Sequence, residues 1–215
     1  MQGCGFDLMG AELLALPTGA LHWPAAGLVA VSDLHFGKSD RIARGGGTLL
    51  PPYEVTDTLL RLDAVLARTD ARTVVCLGDS FDDLGAADLA EEHRLWLLRL
   101  MAGRSWIWIA GNHDPAPVDL PGTHLADLTV GPLTFRHIAE GEAGGEVSGH
   151  FHPKLRLAGQ SRPCFVTDGR RLILPAFGTY TGGLDAREPV IRGLFGTQAT
   201  AILTGHRALR VPLGN

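Results

Sequence analysis

At 215 residues, 45% hydrophobic and 20% charged, the chain is long and apolar enough to bury a core, which argues against a disordered segment. Its net charge of -4 is spread over short blocks of both signs, which argues against a broad basic face gripping duplex nucleic acid. Cys4, Cys76 and Cys164 are odd in number and far apart, so neither a disulfide framework nor a thiolate zinc site is expected, and a reducing cytoplasm is.

Met1 to Ala20 has no basic leader and is broken by Gly3, Gly5, Gly10 and Pro17, so neither a signal peptide nor a membrane span is expected. The apolar run Leu28 to Val31 reads as a strand covered on both faces, ending at Ser32-Asp33-Leu34-His35. From Tyr53 to Arg68, Val55, Leu59, Leu62 and Val65 or Leu66 follow helical spacing. A strand over Thr73 to Leu77 then runs into Gly78-Asp79-Ser80-Phe81-Asp82-Asp83. A second helix is predicted over Ala86 to Ala102, stopped by Gly103, with Leu89, His93, Trp96, Leu97 and Leu100 on one face. The strand Trp106 to Ala110 follows and ends in Gly111-Asn112-His113-Asp114; its tryptophans read as packing residues rather than base-stacking ones.

Beyond Pro115 the chain becomes β-rich. Strands are predicted over Leu125 to Val130, Leu133 to Ile138 and Glu146 to Ser148, and over Cys164 to Thr167 and Leu172 to Leu174 around an Asp168-Gly169 hairpin turn. His150 and His152 follow the strand at Glu146 to Ser148, two apart; an extended chain would carry their imidazoles to the same side. The glycine-rich stretches at 45–47, 141–145 and 180–183 read as surface loops, and none has P-loop spacing. Because both halves contribute to one chemistry, a single domain over residues 1–215 is expected, an α/β fold of two sheets.

Strand ends therefore deliver Asp33, His35, Asp79, Asn112, His113, His137, His150 and His152, and ligands gather at such an edge. Imidazole, carboxylate and amide oxygen without sulfur suit Mn, Fe, Zn, Co or Ni. The set exceeds the need of one ion, which points to two divalent ions and phosphoester hydrolysis.

The series Asp33-Leu34-His35, Gly78-Asp79-Ser80-Phe81-Asp82, Gly111-Asn112-His113-Asp114, His137 and Gly149-His150-Phe151-His152 resembles the calcineurin-like metallophosphoesterases. The resemblance implies a four-layer αββα sandwich of two mixed β-sheets. It implies one ion on Asp33, His35 and His152, with Asp79 bridging to a second on Asn112, His137 and His150. His113 would assist the leaving oxygen, oriented by Asp114. His124 is the alternative to His137, which is followed by Ile138-Ala139 where Glu-Pro is the subgroup pattern.

A narrower likeness, carried by Asp33 to Lys38, Gly149 to Pro153 and Pro175 to Leu184, is to bacterial ligase-associated DNA damage response endonucleases. It implies manganese, single-stranded DNA as substrate, and DNA ligase and helicase repair proteins as partners. Lys38, Arg41 and Arg44, with Lys154 and Arg156 opposite, then either contact phosphates beside the cut or form a surface charge cluster. Asp82 and Asp83 read as a solvated turn or helix cap, and His93 as a core or interface histidine. The rival readings are a hydrolase of small phosphoesters and a metal-free interaction scaffold.

Overall fold

In a computed structural model that describes residues 2–44, 46, 51, 53–82, 89–114, 119–140 and 144–214, three antiparallel strands precede the first predicted one. They are β1 (Cys4–Leu8), β2 (Ala11–Ala15) and β3 (Leu21–Trp23). The sequence reading assigns no strand here, yet Phe6, Leu8, Ala11, Leu13 and Ala15 are buried at alternate positions, the strand period. Met9 (φ 52°) and Gly10 (φ 86°) close the first hairpin with two left-handed residues, as a two-residue turn of this hand requires.

The chain continues through β4 (Leu28–Val31), α1 (Lys38–Arg44), α2 (Glu54–Thr69), β5 (Thr73–Leu77), α3 (Glu91–Met101), β6 (Ser105–Ile109) and β7 (Thr123–Leu125). The first sheet runs β1-β2-β3-β4-β5-β6-β7, parallel from β4 onward. The predicted start of the second helix, at residues 86–88, lies outside the described residues.

Then come β8 (Asp127–Val130), β9 (Leu133–Arg136), β10 (Glu146–Ser148), β11 (Lys154–Leu157), β12 (Gln160–Thr167), β13 (Arg171–Ile173), α4 (Pro189–Arg192), β14 (Thr200–Leu203) and β15 (Leu209–Pro212). The second sheet runs β15-β14-β12-β13-β10-β9-β8, with β11 paired to β12. The strand expected over Leu125 to Val130 is two strands in different sheets, because the chain crosses at Ala126 without a glycine or proline to mark the change.

Alternation along the strands makes the layers. Val29, Val31, Val74, Cys76, Trp106 and Trp108 turn toward α2 and α3, so the tryptophans pack, as expected. Ala30, Val75, Leu77, Ile107 and Ile109 face Leu133, Phe135, Val147 and Leu172 of the second sheet. On the far side, Cys164, Val166, Ile173, Ala201 and Leu203 cover Ile191 of α4 and Phe195. The αββα sandwich of two mixed sheets is as expected, with one difference: the last layer is a helix of only four residues and its flanking loops. No helix among the described residues is long and apolar enough to cross a membrane.

Candidate metal centre

The carboxyl ends of β4, β5 and β6 lie side by side in one sheet, and those of parallel β9 and β10 meet them from the other. The chain must turn sharply there. Asp33 (φ 53°), His35 (φ 46°), Asp79 (φ 46°), His150 (φ 68°) and His152 (φ 47°) all adopt the left-handed conformation. Each costs on the order of 1 kcal/mol or more, and such strain persists only where neighbours enforce it. Here they do: Asp33 N donates to Gly78 O (3.2 Å), His35 N to Asp79 O (3.0 Å) and Gly149 N to His137 O (3.0 Å).

Seven side chains converge in two clusters. In the first, His152 Nε2 lies 3.0 Å from Asp33 Oδ1 and 3.4 Å from His35 Nε2. In the second, His137 Nε2 lies 3.4 Å from Asp79 Oδ2, 3.3 Å from His150 Nδ1 and 2.9 Å from Asn112 Oδ1. Asp33, His35 and His152, and likewise Asp79, His137 and His150, can each present ligand atoms within 4.8 Å of one another. The parallel imidazoles expected of an extended chain are not found: the left-handed turns at His150 and His152 send one ring to each cluster. His124 sits on β7, its ring stacked on Trp108 at 6.4 Å, outside both clusters.

The surroundings leave these atoms free for cations. His35 Nδ1 lies beside the Asp82 carboxylate (2.9 Å) and His137 Nδ1 meets Leu77 O at 2.9 Å, so His137 carries hydrogen on Nδ1 and both rings turn Nε2 into the clusters. Asp33 Oδ2 is taken by Ser32 Oγ and by the His150 N–H (3.0 Å), whereas Oδ1 is buried without a hydrogen bond although His152 Nε2 is near. Oδ1 and Nε2, 3.0 Å apart and both in the first cluster, are the atoms that would meet a cation. Burial works to raise the Asp79 carboxyl, but His137 and the His113 N–H outweigh it and hold it down at about 2. Burial likewise opposes ionisation of Asp33, and His152, His137 and Ser32 prevail, so both carboxylates stay charged. His150 is pushed down by burial and by the neighbouring His137, which favours a neutral donor. The set fits two divalent ions.

Close packing makes the centre intolerant of extra atoms. A Cβ on Gly149 would sit 1.7 Å from Ser32 Oγ and 2.6 Å from Asp33 Oδ2. Gly149→Ala is expected to lower stability by about 1–3 kcal/mol in urea unfolding, with weakened metal uptake at the first cluster. Wild-type stability in that variant would refute the packing argument.

Three expectations about the surrounding residues change. Asp114 does not orient His113. Its oxygens accept from the backbone N–H groups of Asp79 (2.9 Å), Gly111 (3.1 Å), Ser80 (2.8 Å) and Phe81 (3.2 Å), binding the loop after β5 to the loop after β6. His113 is held instead by its Nδ1, 2.9 Å from the Asp82 carbonyl. Asp82 is not a solvated turn: it is fully buried and faces His35, Lys38 Nζ (3.6 Å) and Arg41 Nε. Lys38 and Arg41 are thus tied to an internal carboxylate rather than standing free for phosphates. Asp83 and the Arg44 side chain lie outside the described residues. Lys154 Nζ donates to Thr181 O (3.0 Å), and Arg156 is exposed on β11. His93 lies between helices, its Nε2 2.9 Å from Thr56 Oγ1.

Sequence reasoning missed Ser32 and the role of Asp82. For Asp82 the signal was the pair of cations Lys38 and Arg41 shortly after His35, which a neighbouring carboxylate can pair.

The sequence profile of the calcineurin-like phosphoesterases matches residues 27–169 of this chain. Among solved structures, the Pseudomonas putida nuclease MPE is similar with a TM-score of 0.76 at 28% identity, over 98% of this chain and 100% of that one. No curated protein sequence matches significantly.

Proposed function

The chain belongs to the calcineurin-like phosphoesterase family and is a metal-dependent phosphoester hydrolase, and from that premise we propose that it is a nuclease cutting single-stranded DNA during repair in the cytoplasm. The observation that carries the proposal is the pair of adjoining clusters, Asp33-His35-His152 and Asp79-His137-His150, at the meeting of the two sheets. In this reading Asp33, His35 and His152 would hold one ion, Asn112, His137 and His150 the other, and Asp79 would serve both. When bound, two divalent ions, manganese in this reading, supply Lewis acidity to the oxygens of an in-line displacement and raise the acidity of water.

The protein's own groups do the rest. With Nδ1 engaged by the Asp82 carbonyl, His113 keeps Nε2 for a proton to be handed to the leaving oxygen. Asp114 fixes the loop that bears His113. The nuclease assignment is supported by the nuclease neighbour, and DNA as its substrate by the motif likeness. The net charge of -4 is no obstacle, since two divalent ions bring about four positive charges to where phosphate arrives. DNA ligase and helicase repair proteins are the proposed partners.

The test uses metal-stripped protein resupplied with manganese, given circular single-stranded DNA, a duplex circle and bis-p-nitrophenyl phosphate. The single-stranded circle should be linearised only with metal, and faster than the duplex is nicked. Cleavage of the small diester with both circles intact would leave the hydrolase and remove the DNA substrate.

A further inference from the structure

The chain contains two tyrosines, and the fold brings them together. Tyr53 and Tyr180 lie with ring centroids 5.5 Å apart at 53°. Tyr53 is 52% exposed at the start of α2, and neither ring takes part in the chemistry described above.

The segment carrying Tyr180 borders the first cluster at both ends. Gly178 N donates to Asp33 O at 3.0 Å. Gly183 packs so closely on His152 that a Cβ there would lie 2.1 Å from the His152 carbonyl oxygen. At no more than about 3.6 Å per residue, Tyr180 stands within two residues' reach of the Asp33 backbone. The Tyr180 backbone therefore lies at the rim of the first cluster.

The segment is also held rigidly. Thr179 N donates to Thr58 Oγ1 (3.2 Å), and the Thr179 hydroxyl donates to Asp57 Oδ2 (2.6 Å). Tyr180 has φ 63°, a conformation that bulky side chains avoid, and its hydroxyl donates to Pro51 O (3.0 Å). Strain retained at the rim of a site fixes the direction of a side chain. Lys154 Nζ, bonded to Thr181 O, adds a cation one residue further along.

We propose that Tyr53 and Tyr180 form a stacking platform for an unpaired nucleobase beside the cut site. The proposal rests on the nuclease reading and deepens it: only a single strand exposes the face of its bases, so the platform selects single strands. A mere brace between the rim and α2 needs the Tyr180 hydroxyl bond but no exposed ring at Tyr53.

Tyr53 makes no side-chain capping bond to α2, so Tyr53→Ala should fold. With manganese-loaded protein, kcat/KM is measured for a single-stranded oligonucleotide and for thymidine 5′-p-nitrophenyl phosphate. Each is divided by the value for methyl p-nitrophenyl phosphate, which has no base. The oligonucleotide ratio should fall about 5- to 100-fold in Tyr53→Ala and recover in Tyr53→Phe. Equal losses on all three substrates, or unchanged ratios, would overturn the platform. If the wild type cuts no DNA yet the thymidine ratio falls, the nuclease reading fails while a nucleobase platform stands.

Discussion

Exchanging His113 for alanine is expected to lower kcat on DNA by about 10²–10⁴-fold while both ions remain bound. The reasoning starts from position. His113 follows Asn112 in the loop after β6, its ring edge-on to His35 with centroids 5.3 Å apart, yet it belongs to neither ligand cluster. Its Nδ1 meets a carbonyl, which can only accept, so that nitrogen carries hydrogen and Nε2 is the working atom. A deoxyribose oxygen leaves as a strong base and needs that proton; p-nitrophenolate is a weak base and needs it far less. The loss should therefore be larger on DNA than on bis-p-nitrophenyl phosphate. Metal content of the purified variant, read beside the two rates, separates this role from ligation. Equal losses on both substrates, or loss of an ion, would count against proton transfer.

The residues that converge in the two clusters were legible because their grammar is local. Leu28 to Val31, Val74 to Leu77 and Trp106 to Ile109 are apolar runs with polar residues within three positions of their ends, and a doubly covered parallel sheet writes itself that way. What was not legible depends on distance or on small side chains. Gly5, Ala11 and Ala15 mute the alternation of β1 and β2, and no turn residue marks the change of sheet at Ala126. Asp114 stands next to His113 in sequence, but the partner that holds the ring is the carbonyl of Asp82, on another loop. The meeting of Tyr53 with Tyr180 likewise follows from how the rim folds back on α2, which no spacing encodes. Left-handed backbone at His150 and His152 overrode the two-residue period that an extended chain would have kept.

Asp82 carries the second large prediction, because one residue holds both His35 and His113. Its carboxylate faces His35 Nδ1 at 2.9 Å, and its carbonyl accepts from His113. Burial alone would raise this carboxyl, yet His35, Arg41 and Lys38 hold it well below the usual carboxylate range. Asp82→Asn keeps the shape and the backbone carbonyl but removes the charge. One former oxygen must then present N–H, so either His35 Nδ1 and Lys38 Nζ, which share Oδ1, or Arg41 Nε loses its acceptor, and both cations lose their counter-ion in either case. Loss of an outer carboxylate partner typically costs about 10- to 100-fold in metal affinity. That loss should fall on the Asp33-His35-His152 cluster and spare Asp79-His137-His150, so a chelator-competition titration should show one weakened ion out of two. Because the His113 contact is made by backbone, much of kcat should return at saturating manganese, in contrast to His113→Ala. Two ions bound as tightly as in the wild type would refute the anchoring role. A kcat that stays low at saturating metal would place Asp82 in the proton-transfer chain rather than behind the ligand.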